Sequence, residues 1–167
     1  MLSIDDIFDP NKRVIFSGRP IQIRGWAKDG VSIVQLQGGQ LLRVNLLTGE
    51  SSPIFDTKKL GSVLSQTQGF TIDEANEIGQ SPFQQFNEAE TAILINHGND
   101  LWLYDMNGGT IKRLTNTPQA EELEGDFSPD GKMISFVRGM NLFVVEAANG
   151  KESQLTKDGG ENFKRLS

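Results

Sequence analysis

A unit of about 40 residues recurs three times along this chain, and that recurrence restricts the fold more than any other feature. The clearest copy is "FSPDGKMISFVRGMNLFVVEAANGKESQLT", residues 127 to 156. Aligned without gaps, the copies are headed by Trp26, Phe86 and Phe127. Ile33, Ile93 and Ile134 fall in the middle of a first apolar run, and Leu41, Leu101 and Leu142 open a second. Asn45, Asp105 and Glu146 stand near the end of that second run, and Gly49, Gly109 and Gly150 follow in turns.

Each copy has the pattern of four short strands. One strand ends at the leading aromatic, and Asp29-Gly30 and Asp130-Gly131 supply turns in which a positive φ favours Gly and Asp. "VSIVQL", "TAILIN" and "KMISFV" are apolar, β-branched and free of proline, as a mostly buried strand requires. "LLRVNL", "LWLYDM" and "LFVVEA" make the third strand, and "SSPIF", "IKRLT" and "ESQLT" close the unit. A period near 40 with four strands per unit is that of propeller blades, each of which must stack on neighbours to bury its two faces. The expected fold is therefore all-β, a partial β-propeller of about three four-stranded antiparallel blades. The blades are expected at about 21–56, 83–116 and 124–157 of a single incomplete domain, 1–167.

The first interval between copies is 19 residues longer than the second. The excess holds "TIDEANEIG", where Thr71 followed by Glu74 makes a capping box. That spacing predicts one short helix over 72–79, then a loop to Pro82, inside an insertion at about 57–82. The preceding "KKLGSVLSQTQG" reads as a surface connection. "RVIFSG" in the N-terminal segment could add a strand to a neighbouring blade. Propellers close with roughly four to eight blades, so three require either more chain or a partner surface.

Composition removes several functions. A net charge of −6 disfavours nucleic acid and anionic membranes, which need clustered Lys and Arg. No apolar run approaches the roughly 20 residues of a membrane helix. "MLSIDDIFDPNKR" lacks the basic start and apolar stretch of a secretory leader, which points to a cytoplasmic chain or a leader already removed. With no cysteine and the single histidine His97, thiol catalysis and Cys- or His-rich metal sites are excluded, and no cofactor is expected.

Catalytic candidates are few. No G-x-S-x-G elbow occurs, and His97 in "NHGND" has no evident acid partner, so it is expected to be a turn residue. Glu121, Glu122 and Glu124 form an acidic run that could hold an ammonium group or a cation, but such runs are ordinarily solvated loops. "DMNGG" lacks the ligand spacing of a calcium loop and is expected to be a strand end and turn. Trp26, Phe86 and Phe127 share one register position, which favours blade packing over a ligand stack. No catalytic, substrate-binding, cofactor or metal residue is assigned.

"LWLYDMNGGTIKRLTNTP" and "FSPDGKMISFVRGMNLFVVEAANGKESQLTKDG" resemble the N-terminal β-propeller of bacterial dipeptidyl peptidase IV proteins, in the prolyl oligopeptidase superfamily. "LSIDDIF" and the helix at "TIDEANEIG" have counterparts there, so the resemblance spans nearly the whole chain. "F-S-P-D-G-K" alone is less specific, being shared with TolB-like and other propellers. The resemblance implies a serine exopeptidase that removes N-terminal dipeptides, with an α/β-hydrolase domain downstream and the propeller limiting access to peptides. It also implies a periplasmic or secreted setting. The family's pair of substrate-binding glutamates lies just after the blade matching 127–156, whereas this sequence stops at "GGENFKRLS". Glu121 and Glu122 precede that blade and inherit no role. An arginine that some relatives carry in the middle hairpin is missing from "INHGNDLWLYD". The chain alone is therefore expected to be non-catalytic, partnered by a hydrolase domain or by further copies of itself. A stand-alone TolB-like binding module is the alternative.

Overall fold

The computed structural model describes residues 21–160. "LSIDDIF", "RVIFSG" and the end of "GGENFKRLS" lie outside the described residues. Three four-stranded antiparallel sheets follow one another, each with its strands in sequential order. Blade 1 comprises β1 (Gln22–Trp26), β2 (Ser32–Gln37), β3 (Gln40–Asn45) and β4 (Ser51–Pro53). Two helices follow, α1 (Thr57–Ser65) and α2 (Ile72–Gln80). Blade 2 holds β5 (Gln85–Phe86), β6 (Ala92–His97), β7 (Asp100–Asp105) and β8 (Thr110–Arg113). Blade 3 holds β9 (Glu122–Phe127), β10 (Met133–Arg138), β11 (Asn141–Glu146) and β12 (Glu152–Gln154). The fold is a partial β-propeller. Its described part divides into two compact units, one holding most of blade 1 and the other the helices with blades 2 and 3.

The register is the one the aligned copies predict. Trp26 pairs with Ile33, Phe86 with Ile93 and Phe127 with Ile134. The amides of Gly49, Gly109 and Gly150 each donate 2.8 Å bonds, to the carbonyls of Asn45, Asp105 and Glu146 respectively. The closing strand joins at one recurring point, with Ile54, Leu114 and Leu155 donating to Leu41, Leu101 and Leu142. All three β2–β3-type hairpins are two-residue turns with positive φ at both central positions: Gly38-Gly39, Gly98-Asn99 and Gly139-Met140.

The corner between the first two strands of each blade is held by different side chains. In blade 1 the Asp29 carboxylate accepts from the amides of Val31 and Ser32 at 3.0 and 2.8 Å. In blade 2 Asn87 Oδ1 takes this part, accepting from Thr91 and Ala92 at 2.8 and 3.0 Å. In blade 3 Ser128 Oγ accepts from Met133 while Asp130 accepts from Lys132. The positive φ supplied by Gly30 and Gly131 is adopted in blade 2 by Glu90.

Blades 2 and 3 stack. Alternation puts Leu94, Leu101 and Leu103 on one face of blade 2, joined by Leu114. Against them lie Ile134, Phe136, Phe143 and Val145 of blade 3, with Phe127 partly buried beside them. The Phe136 and Phe143 rings are stacked at 5.5 Å. On the opposite face of blade 2 the Trp102 ring meets Phe70, at 4.9 Å between centroids.

The insertion holds two helices where the sequence predicted one. The helix at 72–80 has the expected capping box: the Glu74 amide donates to Thr71 Oγ1, and Glu74 Oε2 accepts from the Thr71 amide at 2.8 Å. The expected surface connection is corrected to α1, capped by Asp56, whose carboxylate accepts from the amides of Lys58 and Lys59. α1 buries Leu60, Gly61 and Leu64. The two helices pack so closely that a Cβ on Gly79 would stand 2.9 Å from the Gly61 nitrogen.

Candidate functional site

The residues with most chemical potential converge where blade 2 meets blade 3. Asp100 opens β7, and its carboxylate is salt-bridged to Arg113 on β8. It also accepts from the Thr117 amide at 2.6 Å. Glu122 opens β9 and is fully buried. One of its oxygens accepts from the Thr115 hydroxyl and from the Leu101 amide at 3.2 Å. The other accepts from Thr117 Oγ1 at 2.7 Å and Arg138 Nη1 at 3.0 Å. Arg138 reaches on to Glu152 on β12, with Nη1 at 2.9 Å from Oε2 and Nη2 bridged to Oε1. Its guanidinium lies 4.2 Å from the Phe143 ring centroid. The hydrogen bond it donates to Glu152, the charge of that carboxylate and then Glu122 favour the protonated guanidinium and raise its pKa.

This arrangement corrects the reading of the acidic run as a solvated loop. Glu121 and Glu124 are exposed, but Glu122 is the hub of an inter-blade ion network. Each oxygen of Glu122 is already occupied by donors from the chain, which leaves it poorly placed to receive an ammonium ligand. A buried carboxylate is tolerated only with this degree of pairing. Glu122 and Arg138 pair directly across β9 and β10, a register that the acidic run itself does not signal.

His97 ends β6 beside its hairpin turn, as expected, but it also anchors the insertion. Nε2 is 2.9 Å from the Gly69 carbonyl and 3.9 Å from Glu74 Oε2, and the ring stacks on Phe70 at 4.3 Å. The Thr71 hydroxyl is the main cause, followed by the Thr71 amide, of a Glu74 carboxyl below its usual range; His97 adds a smaller effect. The acid near the histidine thus caps a helix. No sequence spacing linked the two.

The aromatic positions divide. Phe127 packs into the core, and Phe86 meets Phe55 edge-on at 5.7 Å. Trp26, expected to pack within its blade, is 69% exposed. "DMNGG" is a strand end and turn: Asp105 accepts from the amides of Asn107 and Gly108 at 3.0 and 3.2 Å.

Two clefts remain. One, of about 540 Å³, lies between blades 2 and 3 at the corner end, floored by Ala92, Leu103, Met133 and Ala147, with Asp105 and Glu146 at its rim. The other, of about 530 Å³, belongs to blade 1 and is polar, lined by Asp29, Ser32, Arg43 and Glu50 among others. Among the described residues no three potential metal ligands converge, and no helix is long and apolar enough to cross a membrane.

Residues 90–165, which take in most of blade 2 and all of blade 3, match the family model of the dipeptidyl peptidase IV (DPP IV) N-terminal region. The crystal structure of Porphyromonas gingivalis dipeptidyl peptidase 4 is similar at TM-score 0.57 and 19% identity, covering 95% of this chain and 22% of that one. TolB from Acinetobacter baumannii matches at TM-score 0.44 and 20% identity, over 84% of this chain and 33% of that one. The chain thus spans about a fifth of the length of the first of these structures. It is a partial β-propeller that resembles the N-terminal propeller of the dipeptidyl peptidase IV proteins.

Proposed function

We propose that this chain is a non-catalytic propeller segment of a dipeptidyl peptidase IV-like serine exopeptidase, where it gates the access of peptides to a downstream hydrolase domain. The observation that carries this reading is the family match across blades 2 and 3. The geometry is consistent with it. The buried acids Asp100 and Glu122 are engaged with arginines and threonines of the chain, and the Glu74 carboxylate beside His97 is engaged in a helix cap. In that setting the packed blades 2 and 3 would form part of the wall that excludes folded protein and admits extended peptide. In that setting the partner would be the hydrolase domain, and peptide would be bound only in the full assembly.

Two measurements test the proposal. The pure chain is expected to release no chromophore from Gly-Pro or Ala-Pro substrates above buffer, and measurable turnover would overturn the non-catalytic part. The reading frame beyond the codon for Ser167 is expected to lead to a paired-glutamate segment and a G-x-S-x-G elbow. A stop codon there would instead support a stand-alone binding module, the second reading, which is favoured by the apolar surface of blades 1 and 3.

A further inference from the structure

We propose that Asn107 is a site of spontaneous covalent modification, at which the folded chain converts an asparagine to aspartyl and isoaspartyl residues by way of a succinimide. The inference rests on the turn geometry of the blades and is independent of the peptidase reading.

The chain has two Asn-Gly pairs, Asn107-Gly108 and Asn149-Gly150. In such a pair the glycine backbone nitrogen can attack the side-chain carbonyl carbon of the asparagine, because no Cβ crowds the approach. The new C–N bond closes the succinimide ring, and the side-chain nitrogen leaves as ammonia with the proton from the backbone amide. Water then opens the ring at either carbonyl, giving aspartate or isoaspartate. The net reaction consumes one water and releases one ammonia, with no change of oxidation state. The motif alone treats the two pairs alike, and both asparagines are exposed.

The turns treat them differently, because the pairs fall one residue out of step in the repeat. The turn after the third strand of each blade runs Leu47-Thr48-Gly49, Asn107-Gly108-Gly109 and Ala148-Asn149-Gly150. A side chain at the middle position is tied into the turn. Thr48 Oγ1 accepts from the Glu50 amide at 3.2 Å, and Asn149 Oδ1 from the Lys151 amide at 2.7 Å. Asn149 Nδ2 also donates to Glu146 Oε2 at 2.6 Å. The position before it faces solvent, and Leu47 there is 82% exposed. Asn107 occupies this outer position, and among the described residues nothing hydrogen-bonds its side chain.

The attacking nitrogens differ as well. The Gly150 amide donates at 2.8 Å to the Glu146 carbonyl, the bond that closes its hairpin, so attack on Asn149 requires the hairpin to open. The Gly108 amide donates at 3.2 Å to Asp105 Oδ2, an exposed side chain, while Gly109 makes the closing bond of that turn. Attack on Asn107 therefore breaks one long bond to a side chain. Attack on Asn149 breaks two side-chain bonds and a main-chain one. The product places a carboxylate near Asp105, in a turn against which Lys59 of α1 lies, and the isoaspartyl form lengthens the chain between β7 and β8 by one methylene.

Peptide mapping by mass spectrometry, with aspartyl and isoaspartyl peptides separated by chromatography, tests this on the pure chain aged at mildly alkaline pH and body temperature. Asn107 is expected to convert about tenfold faster than Asn149, or more, a factor set by the extra hydrogen bonds that Asn149 must lose. In urea, where the turns are gone, the two rates are expected to converge. Glu146→Ala, which frees Asn149 Nδ2, is expected to raise the Asn149 rate severalfold and leave the Asn107 rate unchanged, with circular dichroism confirming its fold. Asn107 surviving in the folded chain while it converts in urea would overturn the inference, and so would equal rates at the two sites before unfolding. A preference for Asn107 that persists undiminished in urea also overturns it, since the cause would then be the neighbouring sequence and not the turn.

Discussion

Blade 1 and blade 3 share a hydrogen-bond pattern and differ in what covers them. Both pair the leading aromatic with the mid-strand isoleucine, and both turn at the same glycines. Yet Ile134 is fully buried while Ile33 is half-buried, and Phe127 packs into a core while Trp26 is mostly exposed. Backbone pattern is a local property of the repeat. Burial belongs to the neighbour, because a sheet face gains hydrophobic stabilisation only when another surface removes it from water.

The largest test of that difference is truncation at the core position. Phe136→Ala is expected to cost about 3–5 kcal/mol in urea unfolding. Trp26→Ala is expected to change stability by under about 0.5 kcal/mol. Equal losses would mean that the blade 1 face is covered in the isolated chain.

Comparable in size is the ion network. Glu122→Ala leaves a mostly buried Arg138 with Glu152 as its remaining carboxylate partner and is expected to cost about 3–5 kcal/mol. Glu124→Ala, two residues away and exposed, is expected to be nearly neutral by the same measurement. If Glu122→Ala were equally mild, the network would be surface chemistry after all.

The helix pair gives a smaller contrast. A Cβ at Gly79 meets the Gly61 backbone at 2.9 to 3.0 Å and the Thr57 carbonyl at 3.0 Å, so Gly79→Ala is expected to lower the thermal midpoint, at about 1–3 kcal/mol. Gly61→Ala makes ordinary contacts with the Ala75 carbonyl at 3.4 Å and Asn76 Oδ1 at 3.8 Å and gains helix propensity, so it is expected to be neutral or mildly stabilising.

The smallest expected effect is acidic. Asp29 is held below the usual carboxylate range chiefly by the Ser32 hydroxyl, and Asp130 chiefly by the Ser128 hydroxyl. A carboxyl lowered on folding stabilises the chain above its unfolded pKa, and that contribution disappears as pH falls through the lowered value. The corner amides of blades 1 and 3 are therefore expected to lose hydrogen-exchange protection in acid, and those of blade 2, held by Asn87, to keep it. Asp29→Asn and Asp130→Asn should each remove the response at their own corner.

The blades were legible because their signals are short-range. Asp29-Gly30, Asp130-Gly131, the hairpin glycines and the alternation of β6 or β10 are read from neighbouring residues. α1 was harder to see, since Lys58, Lys59, Gly61 and Ser62 leave little apolar stripe; Asp56 ahead of Leu60, Val63 and Leu64 was the available cue. Glu122 was misread because an acidic run carries no mark of which member will be buried. The partners of its carboxylate come from β7, the strand end near Thr115 and β10, and only stacking assembles them.

By itself the sequence determined the blade: period, register, turn positions and the cap of α2, all set by steric and hydrogen-bonding preferences within a few residues. Tertiary structure alone decided which copy of each repeated residue is buried, that Glu122 is an ion-pair hub and that His97 holds down a helical insertion. Those outcomes depend on contacts between segments tens of residues apart, and the energy of burying a side chain is a property of the contact rather than of the residue.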